Sequence, residues 1–290
     1  MRERAVLAAF LMPAAAGMLL LTLLPALVAL AFSFSAWDGL SPPEWRGVAT
    51  FREVLADPYF RMAARNSLVF VLMAVPLRLL GALGLALLYR RSHPGADACR
   101  TAAFLPTIVP DAAYALTWLM LLNPLHGPLN IALRAVGLPA PAWLAHGDTA
   151  LLSIVIMSCF QVGEGMVVLL AGLATIPADW YRAAQLDGAG RWASFRWITL
   201  PMILPWLVLL TLRDVIMSAQ NTFVPAYLMT GGGPYYATLF VPLHMYQQAF
   251  DGFRFGHAAA EMVLLLGAVA LLLAIVARVA RRPAIDDDAA

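Results

Sequence analysis

The longest apolar stretches of this chain carry polar and ionisable side chains at a few positions, and those positions are where chemistry is possible. One stretch holds Thr107 and Asp111, four residues apart. A second holds Gln161 and Glu164, three apart, beside Phe160. A third holds Asp214, Gln220 and Asn221, with Asp214 and Asn221 seven apart. Helical spacing would put each pair on one face. A charge at the centre of an apolar span costs about 2.5–3.5 kcal/mol on insertion scales, so such residues are functional candidates. Carboxylates and amides offer acceptors and donors to a polar solute, and the Phe160 ring offers a flat apolar surface. The carboxylates would also suit proton or sodium binding. The plainer reading is hydrogen bonding between neighbouring helices. That reading is stronger for Arg78, Arg213 and Asp214, where Arg213 and Asp214 are expected to find charges such as Arg78 or Glu261.

The chain lacks the motifs of a P-loop ATPase and of a zinc hydrolase. It has no lysine, so it cannot form a P-loop, whose lysine sits on the phosphates. It has no HExxH motif, and His93, His126, His146, His244 and His257 are scattered, which argues against a metal site. They are expected to be interfacial residues. Neither a catalytic nor a metal site is expected, and energy for any work must come from another subunit or an ion gradient.

The elements that must position these residues are membrane helices. Of 290 residues, 62% are hydrophobic and 12% charged, with mean hydropathy +0.77; soluble domains carry about 25% charged residues. A span needs about 20 apolar residues, and six are expected, at 7–34, 66–89, 101–122, 150–173, 201–224 and 257–280. An all-α integral membrane fold is expected, with residues 1–290 forming a single transmembrane domain. The first apolar run is too long for a cleaved signal peptide. Cys99 and Cys159 are expected as free thiols. Eleven arginines fall on one side of this topology and six on the other, so the richer side is expected to be cytoplasmic. Both termini and the 174–200 loop then face the cytoplasm. The outer segments 35–65 and 123–149 are turn-rich and carry aromatic residues, with an interfacial helix expected within 51–65.

The 177–200 loop has its own pattern. Asp179 suits a helix N-terminus, and the helix is expected to reach Leu186. Gly188 then supplies the positive φ of a C-cap. A second helical stretch, 191–198, leads to Pro201, which is tolerated in a first turn. The product is a helix–glycine–helix elbow in which small Ala183 and Ala184 admit a close partner.

Ala183, Ala184, Asp187, Gly188, Ala189, Ile198, Leu200 and Pro201 resemble the coupling-loop signature of the permease subunits of ATP-binding-cassette (ABC) importers. The chain departs from it at Arg182, where the family has an acidic residue. Three further segments resemble the carbohydrate branch, typified by maltose and glycerol-phosphate permeases. They are Phe104-Leu105-Pro106 with Val109-Pro110, Thr230 through Pro234, and Phe255-Gly256 with Ala258, Ala259 and Ala260. The resemblance covers roughly residues 10–280. It implies a type I importer permease in a bacterial inner membrane, paired with a second permease subunit. It implies a cytoplasmic ATPase dimer that uses ATP and Mg and docks around Arg182–Ala184 and Asp187–Ala189. It also implies an external solute-binding protein and a carbohydrate substrate. On this alignment Thr107, Asp111, Phe160, Gln161, Glu164, Gln220 and Asn221 lie at or beside the family's substrate pathway. No cofactor in this chain and no nucleic-acid partner is expected. The competing reading is an ion-coupled secondary transporter using Asp111, Glu164 and Asp214; inverted repeats would favour it, and the chain has none visible.

Overall fold

The computed structural model describes residues 2–90 and 95–281. In chain order the helices are α1 (Arg2–Met18), α2 (Leu24–Phe32), α3 (Ala49–Ala56), α4 (Pro58–Tyr89), α5 (Ala96–Phe104), α6 (Asp111–Leu121), α7 (Pro128–Ala135) and α8 (Gly147–Cys159). They continue as α9 (Gly163–Ala174), α10 (Ala178–Leu186), α11 (Arg191–Ser194), α12 (Leu200–Gln220), α13 (Phe223–Pro225), α14 (Val241–Tyr246) and α15 (Phe255–Arg281). Strands β1 (Ser35–Ala36) and β2 (Glu44–Trp45) pair antiparallel, Ser35 opposite Trp45.

Among the described residues four helices are long and apolar enough to cross a membrane: Phe10–Phe32, Pro58–Tyr89, Arg191–Thr230 and Phe255–Val279. Two bent pairs bring the total to six if each counts as one span. The expected third span, 101–122, is not one straight helix: α5 with its 3-10 extension to Thr107 meets α6 at 99°. Pro110 lacks an N–H and biases Val109 away from the helical region, so the chain turns there. The expected fourth span, 150–173, bends by 45° between α8 and α9. The fifth starts ten residues earlier than expected, because α11 runs through a π turn (Phe195–Thr199) directly into α12. It ends where Gly231 takes φ +60°.

The described residues form two compact units. The first comprises 2–61 and 244–267. Its β-hairpin turns on Asp38, whose Oδ1 accepts Leu40 N (3.0 Å), Ser41 N (2.8 Å) and Ser41 Oγ (2.8 Å). Those bonds, chiefly from Ser41 and then Leu40, hold the Asp38 carboxyl down at a pKa of about 2. The hairpin lies so close to the start of α15 that a Cβ on Gly256 would sit 1.9 Å from Ser35 O. Only glycine fits there. The 51–65 segment holds α3, which ends at Ala56, and then the start of α4. Asp57 caps α4 by accepting Tyr59 N at 2.8 Å, with Pro58 at the first helical position.

The second unit comprises 62–90, 95–243 and 268–281. Its main core joins Ala82 and Ala86 of α4, Met166, Leu169 and Leu173 of α9, and Ile203 and Leu210 of α12. Small residues set the helix spacing, as is usual where helices associate in lipid. A Cβ on Gly172 would meet Trp206 Cδ1 at 2.7 Å, and one on Gly163 would meet Ala103 O at 2.6 Å. Within the 123–149 segment, which composition marks only as turn-rich, α7 forms around buried Asn130. Its Nδ2 donates to Pro124 O and Pro141 O, and its Oδ1 accepts Trp143 Nε1 at 2.8 Å.

Candidate functional site

Arg78 of α4, Glu164 of α9, and Arg213 and Asp214 of α12 form one network in the second unit. Arg78 Nε lies 3.2 Å from Asp214 Oδ2, and Arg78 Nη2 donates to Ser218 Oγ. Arg213 Nη1 donates to Asp214 Oδ1 at 3.3 Å, and Arg213 Nη2 donates to Glu164 Oε2. Asp214 is buried, and its carboxylate lies between the Arg78 and Arg213 guanidinium groups, the kind of pairing a buried charged side chain requires. Gln161 lines a small cavity of about 20 Å³ with Arg78, Arg213 and Asp214, room for one water molecule. The expected pairing of Asp214 with Arg78 is present. Glu261 bonds His244.

Helical spacing misplaces two of the expected faces. Thr107 and Asp111 do not share a face, because the 99° turn lies between them. Thr107 Oγ1 donates to Phe104 O at 2.6 Å, and Asp111 is exposed in the first turn of α6. Gln161 and Glu164 are likewise not on one helix: α8 ends at Cys159 and α9 begins at Gly163. They nevertheless come together, one lining the small cavity and the other bonded to Arg213 beside it. Phe160, 55% exposed, packs against Trp118 with ring centroids 5.1 Å apart. Trp118 in turn meets Tyr114, whose hydroxyl donates to Met157 O at 2.9 Å. Gln220 and Asn221 are exposed at the C-terminal end of α12. α6 packs against α13 and the π turn that follows it, Ala226–Thr230.

The elbow has the expected local structure. Gly188 takes φ +78°. Gly188 N donates to Gln185 O (3.1 Å) and Ala189 N to Ala184 O (2.8 Å), the two bonds of a Schellman cap. The Ala-Ala and Asp-Gly-Ala residues are thus one stop signal: Ala184 accepts, Gly188 turns and Ala189 donates. Arg182 Nη1 bonds Asp179 Oδ1 at 2.7 Å within α10, with both side chains exposed. Leu186, Trp192 and Trp197 are 89%, 74% and 75% exposed.

Sequence reasoning missed two features here. Tyr181 anchors the elbow: its hydroxyl bonds Thr199 Oγ1 at 2.9 Å, and the Arg90 guanidinium sits 4.4 Å over its ring. Its position three residues into a short amphipathic helix was the only clue. In the first unit, His244 is buried rather than interfacial. His244 Nδ1 and Glu261 Oε2 share a hydrogen bond of 3.0 Å, Gln248 Nε2 lies 3.3 Å from His244 Nε2, and Asp57 Oδ2 is 4.0 Å away. Glu261 inside an apolar helix was a signal for a buried partner.

Residues 66–283 match the family described as "Binding-protein-dependent transport system inner membrane component". The chain is 33% identical to the probable ABC transporter permease protein YesP of Bacillus subtilis (strain 168), covering 91% of this chain and 88% of that one. It is 29% identical to the sulfoquinovosyl glycerol transport system permease protein SmoG of Agrobacterium fabrum, covering 86% and 81%. The fold superposes on a chain of a bacterial ABC transporter involved in the import of the acidic polysaccharide alginate, with TM-score 0.83, 22% identity, and coverage of 97% and 96%. These are transport subunits rather than enzymes, and none of them supports an ion-coupled carrier. With its helices packed through small residues, its capped elbow and its match over 66–283, the chain belongs to the binding-protein-dependent transport system inner membrane component family, as an ABC importer permease.

Proposed function

We propose that this permease carries a sugar or sugar derivative inward, driven by ATP hydrolysis in a separate subunit and supplied by an external solute-binding protein. The observation that carries the reading is the elbow: a Schellman-capped short helix, pinned to the base of α12 through Tyr181 and Thr199. It is built to receive a push and pass it to a span. A second permease subunit completes the pathway, and an ATPase dimer holding ATP and Mg docks on α10 through Arg182, Ala183, Ala184 and the Asp187–Ala189 turn. Both termini and the elbow face the cytoplasm, a placement supported by the arginine count.

In this reading the solute meets Gln161, Glu164 and the exposed edge of Arg213, and an apolar sugar face lies on Phe160 and Trp118. Thr107, Asp111, Gln220 and Asn221 line the route at helix ends. Support for a sugar comes from relatives named for sulfoquinovosyl glycerol and for starch degradation products. A neighbour in fold has been seen with an alginate pentasaccharide-bound periplasmic protein. The ion-coupled alternative loses its strongest candidates, since Glu164 and Asp214 are held by arginine.

The test is to tag the chain in its own host, purify it in mild detergent and identify what accompanies it. An ATPase, a second permease and a solute-binding protein are expected, and the binding protein should then retain a carbohydrate. A homo-oligomer with no ATPase would overturn the reading.

A further inference from the structure

The second unit holds a larger cavity that the transport reading does not use. It measures about 580 Å³ and is lined by Arg90, Arg100 and an apolar strip of α9 that includes Val167, Leu170, Ala171 and Ala174. Ligand sites commonly span about 300–1,000 Å³. Its two cations are incompletely matched. Arg100 Nη1 bonds Asp97 Oδ1 at 2.9 Å and Nη2 donates to Tyr89 O. Arg100 Nε, however, is buried with no hydrogen-bond partner among the described residues. A buried N–H left over on a cation calls for an explanation. Arg90 rests on the Tyr181 ring, a neutral partner.

The wall opposite the arginines belongs to α9, part of an apolar bent pair of span length. Val167, Ala171 and Ala174 are exposed along it. Arg90 directly follows α4 and Arg100 lies in α5, on the arginine-rich side of the spans, where head groups lie. A guanidinium fork matches phosphate oxygens in geometry and charge, while an apolar strip running away from it matches an acyl chain. A freely soluble anion would leave that strip uncovered.

We propose that this cavity binds the phosphate of an anionic membrane lipid between Arg90 and Arg100, with an acyl chain along α9. Basic pockets beside spans are suited to such head groups. Because Arg90 also packs on Tyr181, and Tyr181 bonds Thr199, an occupied cavity would steady the root of the elbow.

The full chain purified in neutral detergent would be titrated with phosphatidylglycerol, phosphatidylcholine and inorganic phosphate, followed by native mass spectrometry and thermal melting. Phosphatidylglycerol is expected to stay bound and raise the melting temperature, and the other two are not. Arg90→Gln with Arg100→Gln should weaken phosphatidylglycerol binding by at least about tenfold, the scale of lost charge-assisted hydrogen bonds. Ala171→Phe keeps both arginines and fills the cavity; it should give the same loss, and it decides the matter if the double variant does not fold. Unchanged phosphatidylglycerol binding in Ala171→Phe, or in a folded double variant, overturns the proposal. So does an equal shift from inorganic phosphate, which would mark a soluble-anion site, or an equal shift from phosphatidylcholine.

Discussion

The network around Asp214 and the elbow around Gly188 handle exposure in opposite ways. In the first, Arg78, Arg213, Asp214 and Glu164 pair with one another. In the second, the one ion pair is local, Arg182 to Asp179, and the large side chains of Leu186, Trp192 and Trp197 face outward. A chain of ion pairs running from buried Asp214 to exposed Glu164 ties α4, α9 and α12 together. An elbow with outward apolar groups is arranged for something to cover it. In the proposed reading the first region serves stability and the second communication.

The contrast can be broken most forcefully at Asp214. Asp214→Ala removes the carboxylate between two arginines and leaves buried positive charge. A loss of about 3–5 kcal/mol is expected, read as a collapse of the melting temperature of the purified chain; a mild shift would mean that Arg78 and Arg213 are solvated. Gly188→Pro comes next. Proline fixes φ near −65° and cannot adopt +78°, so the elbow should be disrupted by about 3 kcal/mol locally. Uptake should fall while ATPase activity of the assembled complex persists, and the circular dichroism should hardly change. Normal uptake in this variant would separate the elbow from transport.

Glu164→Gln sharpens the boundary between structure and pathway. Arg213 keeps Asp214, so stability should change little, whereas a solute contact worth about 1 kcal/mol would raise the KM for uptake about fivefold. An unaltered KM places Glu164 with the structural residues. Arg182→Glu is the smallest. It swaps an exposed ion pair for like charges three residues apart, worth about 0.2–0.5 kcal/mol. Assembly measured by co-purification should survive, and its loss would show that the docking partner reads the arginine itself.

Much of this was legible in the chain. Spans follow from apolar run length, and the elbow follows from the Asp-Gly-Ala turn, because both are local properties. The two bends were not, though Pro106 and Pro110 stood at the first. An apolar run looks the same straight or bent, and spacing arguments then put Thr107 with Asp111 on a face that does not exist. Contacts between distant segments were legible only as demands. Asp214 in an apolar helix required a cation, and Arg78 was a fair guess. Glu261 required a partner too, but nothing local singled out His244, seventeen residues away on another helix. Tyr181 was hidden for the same reason, since its importance lies in Thr199 and Arg90 rather than in its neighbours. Gly256 is the converse case: the Phe-Gly pair was visible as a pattern, and its cause, Ser35 O at 1.9 Å from a would-be Cβ, was not.

The Phe10–Phe32 helix has none of its apolar window buried among the described residues. It emerges from the ribosome before any of the helices that form the main core. A helix pairs its backbone groups within itself, which is what the bilayer requires of a span. Biogenesis can therefore begin with a free-standing anchor, inserted while the remainder is still being synthesised. A deletion confined to this helix should then show itself as a defect of delivery to the membrane.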